Sequence, residues 1–264
     1  MSEKYIGENK IYTSTHTPKE LKHETPLFLV HGSWGGSFMW KVYIEYFVNQ
    51  GRKVVTIDLR GHGKSGGTVE GATMDDYVVD MHQVIKNTEL QNPILVGHSM
   101  AGLLVLMYGA KNNSSAIVSI DPSQSIEVQK ESMDKEYKSA YTPMDAGMPG
   151  DPQKVMQAFP DISKEMLLKM KDMLGVESGV ARSQRKKGVS VPKELLDVPI
   201  LFVAGELGDS VPFGIGIEKT REMAKYYESD LVEIGEATHP GILMGEHAKE
   251  AAKKINDWLN QENL

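Results

Sequence analysis

Pro93-Ile94-Leu95-Val96-Gly97-His98-Ser99-Met100-Ala101-Gly102 lies between two structural signals of opposite kind. The run Ile94-Leu95-Val96 has the unbroken apolar character of a strand buried on both faces. Residues 103–110, Leu-Leu-Val-Leu-Met-Tyr-Gly-Ala, suit a buried helix. Strand, sharp turn with a central serine, and helix together make the setting a G-x-S-x-G nucleophile elbow requires. Such a turn strains the serine backbone and leaves almost no room for side chains two residues away. Gly97 meets that demand, whereas Ala101 stands one methyl group away from the pattern and Gly102 follows it directly.

On either side of this stretch, strand and helix alternate. Pro26–Val30, Lys53–Asp58 and Ala116–Ile120 read as buried strands, with helical periodicity over Ser37–Gln50 and Met74–Ile85. This alternation is the signature of a parallel sheet with helices on both faces, an α/β fold. The rhythm breaks at Pro122. Residues 123–196 show no convincing strand and read as short helices at Ile126–Tyr137, Pro152–Phe159 and Ser163–Leu174. This segment holds seven of the 15 methionines and ends in Arg182, Arg185, Lys186 and Lys187. It is read as a helical lid inserted into a core formed by residues 1–122 and 197–264. Strand character resumes at Val198–Ala204 and near Asp230–Ile234, and an amphipathic helix closes the chain over Gly245–Leu259.

Composition bounds the chemistry. The 264 residues carry a formal net charge of −7, which argues against a nucleic-acid partner, since such binding rests on clustered positive charge. With no cysteine, thiol catalysis and cysteine metal sites are excluded. The first residues lack the apolar core of a signal peptide, and no run approaches the roughly 20 apolar residues of a membrane span. The expectation is a cytoplasmic protein.

A serine hydroxyl needs an adjacent base, and the base needs an orienting acid. Of eight histidines, only His239 and His247 follow the lid. His247 falls within the closing helix, and His62, in a glycine-rich turn, reads as structural. His239 follows the last strand at the end of the sheet where Ser99 also lies, and is the expected base. Upstream, His31-Gly32-Ser33 ends the first strong strand, a place suited to donating the Ser33 N–H to an oxyanion. Three carboxylates follow strands: Asp121, Glu206 and Asp209. Asp209 is the preferred acid, set deep in its loop after Gly208; Asp121 and Glu206 remain alternatives. The order oxyanion loop, serine, acid, histidine places all the chemistry at strand carboxyl ends, where open α/β sheets bind ligands.

The sequence resembles the α/β-hydrolase superfamily, near its esterase, lysophospholipase and monoglyceride-lipase-like members. The matching pieces are His31–Gly36, Asp58–Ser65, Gly97–Gly102, Gly205–Pro212 and His239, spread over nearly the whole core. The resemblance implies that Ser99 is the nucleophile, that Ser33 and Met100 supply oxyanion-hole N–H groups, that residues 123–196 form a cap, and that neither a metal nor an organic cofactor takes part. It departs at Ala101 and in one extra residue between Gly205 and Asp209. The implied activity is cleavage of a small-molecule carboxylic ester through an acyl-enzyme. A C–C bond hydrolase, a lactonase, a perhydrolase or a non-catalytic small-molecule receptor would share the same features. Trp34 and the lid residues Met144, Met148 and Met170 are expected to line the substrate site, the methionines as a flexible apolar wall.

Overall fold

The structure, a computed structural model, describes residues 1–212 and 214–264. The chain opens with a hairpin of β1 (Ser2–Ile6) and β2 (Ile11–His16), antiparallel with Ser2 opposite Thr15. Then come β3 (His23–Val30), a single 3₁₀ turn at Ser37–Trp40, α1 (Lys41–Asn49) and β4 (Arg52–Ile57). The following helix, α2 (Met74–Asn87), starts at a reciprocal cap: Thr73 accepts the Asp76 N–H, and Asp76 accepts the Thr73 N–H. Beyond it lie β5 (Ile94–His98), α3 (Met100–Gly109) and β6 (Ala116–Ile120).

Between residues 121 and 199 the chain leaves the sheet. It forms a two-residue strand β7 (Ala140–Tyr141), α4 (Pro152–Ala158), α5 (Lys164–Met173), a second two-residue strand β8 (Glu177–Ser178) and α6 (Gly179–Lys187). The expected helix over Ile126–Tyr137 does not form. Its backbone donors are used across the segment instead, Ile126 N–H on Val189 O at 2.9 Å and Met133 N–H on Lys186 O at 2.8 Å. The ribbon β7–β8 is also new relative to the sequence reading; two-residue strands carry no periodicity to detect. The core then resumes with β9 (Ile200–Leu207), α7 (Ile217–Tyr226), β10 (Asp230–Thr238), the short α8 (Gly241–Met244) and α9 (Ala248–Gln261).

The main sheet runs β1-β2-β4-β3-β5-β6-β9-β10, parallel from β4 to β10 and antiparallel only at the β1–β2–β4 edge. One apolar layer packs α2, α3 and α7 on one face; the other packs α1, α8 and α9 on the opposite face. Helix α3 is buried along nearly its whole length, which explains the absence of polar residues from Met100 to Gly109 other than the phenol of Tyr108. In α9, Ala248, Ala251, Ala252, Ile255, Trp258 and Leu259 fall at helical spacing and form its buried face. Arg52 is fully buried beside it, and its guanidinium donates to Asn256 and Asn260 Oδ1 at 2.8 Å each. Among the described residues, no helix is long and apolar enough to cross a membrane.

Candidate active site

Because β3 to β6, β9 and β10 run parallel, the loops at their carboxyl ends meet along one edge. Ser99 sits there between β5 and α3, at φ 58° and ψ −118°. A non-glycine residue at positive φ is costly and persists only where its surroundings enforce it. Here the Ser99 N–H donates to Ile120 O at 2.9 Å, and Ser99 O accepts from Gly102 N–H at 3.1 Å and Ser123 N–H at 3.0 Å. The turn leaves no space at Gly97, where an added Cβ would lie 2.1 Å from Ala101 O. Gly102 is equally confined, with Pro122 Cβ 2.7 Å from such an atom. Ala101 carries its methyl group fully buried in the α2–α3 layer, so the position that departs from glycine is filled by core packing.

His239 follows the end of β10, and its Nε2 lies 2.9 Å from Ser99 Oγ. With the hydroxyl donating to Nε2, the ring proton sits on Nδ1. That nitrogen faces Asp121 Oδ2 at 3.4 Å, an ion-pair distance without the alignment of a hydrogen bond. The loop is braced from two sides. His98 Nε2–H donates to His239 O at 2.8 Å, and buried Asp161 accepts the Thr238 N–H at 2.9 Å and the Thr238 hydroxyl at 2.6 Å.

The carboxylate at His239 therefore belongs to Asp121, which corrects the preference for Asp209. Asp121 is fully buried, and its Oδ1 accepts the Gly205 N–H at 2.9 Å. The close approach depends on Gly205, since a Cβ there would come 3.3 Å from Asp121 Oδ2. Asp209 is exposed and turned toward Gly216. The turns Gly208 N–H to Gly205 O and Ser210 N–H to Leu207 O carry it outward. Glu206 is exposed too and accepts the Glu236 N–H at 2.9 Å.

Burial sets the protonation states. It pushes the His239 imidazole down to about 3, helped by the positive charge of Lys219, so the ring is neutral and free to accept a proton. Burial pushes the Asp121 carboxyl up to about 7, against the opposing pull of the Gly205 N–H and His98. His98, Asp121 and His239 each bring a donor atom within 4.8 Å of the others, spacing a cation could use. Such an ion would compete for the facing Asp121 and His239 atoms.

The loop after β3 crosses Ser99 so closely that a Cβ on Gly32 would lie 2.8 Å from Ser99 Cβ. His31 fixes it, its Nδ1–H donating to Gly32 O at 2.7 Å and its Nε2 accepting the Leu59 N–H at 3.0 Å. Ser33 comes next and its hydroxyl donates to Met100 Sδ at 3.6 Å, so both expected oxyanion residues adjoin the serine. The Met100 N–H opens α3, where no intrahelical carbonyl is available to it.

A cleft opens over Ser99. Ser33, Trp34 and Tyr141 line it together with four cations, Arg182, Arg185, Lys186 and Lys219. Trp34 lines the cleft, and its indole N–H donates to Tyr141 O at 3.0 Å. The methionine wall is not there. Met144 is 68 % exposed, Met170 is buried in the α1–α9 layer and Met148 packs against that same layer. Sequence could give the flexibility of these side chains, but not which face of the segment they occupy. His62, by contrast, is engaged away from Ser99: its Nε2 lies 3.3 Å from Glu177 Oε2 in a fully buried pair.

Comparison with known proteins agrees with this architecture. A family model described as alpha/beta hydrolase fold matches residues 25–175. A bifunctional esterase/perhydrolase of Acinetobacter calcoaceticus is 26% identical over 260 residues, covering 89% of this chain and 91% of that protein. A non-heme chloroperoxidase of Burkholderia pyrrocinia is 33% identical, but the match takes in 36% of this chain and 34% of that protein. The chain thus spans about a third of that curated relative in the matched region. Among solved structures, a bromoperoxidase from Bacillus anthracis superposes with a TM-score of 0.72 at 22% identity, covering 98% of this chain and 99% of that one. An esterase from Exiguobacterium antarcticum gives a TM-score of 0.73 at 16% identity, covering 98% and 99%.

Proposed function

This chain belongs to the α/β-hydrolase family, and from that premise we propose that it cleaves carboxylic esters through an acyl-enzyme, with Ser99 as nucleophile, His239 as base and Asp121 as acid. The observation that carries the proposal is the 2.9 Å contact between a strained elbow serine and a buried, neutral imidazole. Ser99 Oγ attacks the ester carbonyl while its proton passes to His239 Nε2. The Ser33 and Met100 N–H groups hold the developing oxyanion. As the C–O bond breaks, Nε2 returns the proton to the departing alkoxide. Water then repeats the sequence on the acyl group and releases a carboxylic acid. Throughout, the Asp121 carboxylate stabilises the transient imidazolium and keeps the ring proton on Nδ1. Residues 123–196 serve as the cap over this chemistry, with Arg185 and Tyr141 forming its inner surface.

Labelling with a fluorophosphonate tests the nucleophile. The probe is expected to modify Ser99 alone, and Ser99→Ala to abolish both labelling and hydrolysis of 4-nitrophenyl butyrate. An unlabelled wild-type protein with no turnover would rule the proposal out. The full-length likeness to an esterase/perhydrolase supports a second outlet for the same acyl-enzyme, in which hydrogen peroxide replaces water and yields a peracid. Peroxide-dependent halide oxidation in carboxylate buffer, lost in Ser99→Ala, measures it.

A further inference from the structure

The cations over Ser99 come from two separate elements. Arg182, Arg185 and Lys186 project from α6, and Lys219 from α7, in a chain whose net charge is −7. Among the described residues, none of the four has a carboxylate within ion-pair distance. Two carboxylates whose charges act on them are engaged elsewhere. Glu222, one turn along α7 from Lys219, is held by Lys130 Nζ at 2.6 Å and Gln124 Nε2 at 3.1 Å. Glu177 is held by His62 and by the Tyr77 hydroxyl at 2.6 Å.

Arg185 is held by neutral groups alone. Its Nη2 donates to Ser33 Oγ at 3.2 Å and Tyr141 Oη at 3.1 Å, and its Nη1 to Ser123 Oγ at 3.3 Å. Its Nε–H is buried with no acceptor. A guanidinium fixed by hydroxyls, with a donor to spare, is oriented for an anion, while Glu177 acts on its charge from beyond ion-pair distance. Arg182 lies over the Tyr137 and Tyr141 rings at 4.5 and 4.4 Å, which positions it without supplying a counter-charge.

The basic last turn of α6 also complements the helix dipole. That account covers Lys187, which points to the surface and pairs with Asp134 at 3.5 Å. It does not cover Lys219, which belongs to another helix, nor Arg182, a turn earlier. Crowding like charges in a cleft is unfavourable until an anion enters. Lys186 shows the strain, its ammonium pushed down by burial and then by Arg185, Lys219 and Arg182.

We infer that the ester cleaved at Ser99 carries an anionic group, a carboxylate or a phosphate, which binds among Arg182, Arg185, Lys186 and Lys219 while the carbonyl sits at Ser33 and Met100. This rests on the serine-hydrolase proposal above. The hydroxyl of Ser33 links the two parts of the site, since it lies on the oxyanion loop and accepts from Arg185. A negative charge a few bonds from the scissile carbonyl is therefore what the cleft selects.

Two matched pairs of substrates test it. The first is mono-(4-nitrophenyl) glutarate against 4-nitrophenyl valerate, and the second 1-butyrylglycerol 3-phosphate against 1-butyrylglycerol. In at least one pair, kcat/KM for the anionic member is expected to exceed the neutral one by roughly tenfold to hundredfold, the size of one charge-assisted hydrogen bond. The pair that responds identifies carboxylate or phosphate as the source. The advantage should shrink in 0.5 M salt and fall toward unity in Arg185→Gln and, separately, in Lys186→Gln/Lys219→Gln, which leaves the hydrogen bonds of Arg185 to Ser33, Ser123 and Tyr141 in place. Cleavage of the neutral esters with no anionic advantage in either pair overturns this inference and leaves the proposed function standing. An advantage that survives both sets of variants overturns the assigned residues. Failure to cleave any of the four esters, with Ser99 unlabelled by fluorophosphonate, brings down the proposed function itself.

Discussion

At neutral pH the Asp121 carboxyl stands near the middle of its titration, about 7, because burial outweighs the Gly205 N–H and His98. In the proposed mechanism only the ionised form stabilises the imidazolium that His239 becomes during turnover. kcat/KM is thus expected to fall as pH drops through about 7, while His239, held down to about 3, stays neutral across that range. The same shift acts on stability. A carboxyl whose folded pKa lies above its unfolded value near 4 favours the fold when protonated, and that contribution is lost as pH rises through 7. Asp121→Asn should therefore cut kcat by roughly three to four orders of magnitude. It should also gain stability relative to wild type between pH 4 and pH 8, by up to ~4 kcal/mol in denaturant titrations. Asp209→Asn, on an exposed side chain with no tie to His239, should stay within about twofold of wild type in kcat. Equal losses in the two variants would contradict this pairing of acid and base. Prolonged dialysis against a chelator is expected to leave ester hydrolysis intact; a loss restored by a divalent cation would place that ion at His98, Asp121 and His239.

At the scale of elements, buried Glu177 is one of the carboxylates that pin the segment between β6 and β9 to the core, Asp161 at Thr238 being another. Glu177 on β8 accepts the Tyr77 hydroxyl from α2 and faces His62 from the loop after β4. His62, and after it the charge of Arg185, draw its carboxyl down to about 2 despite complete burial. Removing one partner of such a pair leaves an uncompensated buried charge, so Glu177→Ala should destabilise by roughly 3–5 kcal/mol, read as a shift in denaturation midpoint. A shift below about 1 kcal/mol would mean that the segment is held by its other contacts, such as Asp161 on Thr238. Helices α4 and α5 form close to the expected Pro152–Phe159 and Ser163–Leu174, with Asp151 and Ser163 capping their first turns. Glu177 was not legible, because a lone glutamate between two short elements carries no local signal. The acid escaped for a related reason. Asp121 and Asp209 both follow core strands, and the choice between them turns on which strand-end loop bends inward, a matter of Gly205 and the turns beyond it.

For the whole molecule, alternation of apolar strands and periodic helices was enough to anticipate a mostly parallel sheet covered on both faces, and the elbow motif marked the edge where the strand-end loops meet. What sequence withheld was the lining of the cleft. The methionines pack into the core or face solvent, and the cations at the end of α6 turn toward Ser99. The closing helix shows how far apart in the chain the structural ties lie. Arg52, from the start of β4, is fully buried and relies on Asn256 and Asn260 in α9. Deleting residues 256–264 should strip that guanidinium of its acceptors, uncover the α1 face and prevent folding, whereas deleting residues 1–5, all exposed, should cost little. Circular dichroism and thermal melts of the two truncations separate these outcomes.

Gly205 joins the strand end that carries Asp121 to the one that carries Asp209, and the proton chemistry lies wholly on the first side of that junction. The loop beyond β9 is thereby released from a duty that would otherwise hold its length and shape constant. Pro212, Gly214 and Ile215 reach the cleft from that loop. If the proposed acyl transfer holds, it is a place where inheritance or a protein engineer can lengthen, shorten or recharge the wall of the cleft while the rate of that transfer stays as it is.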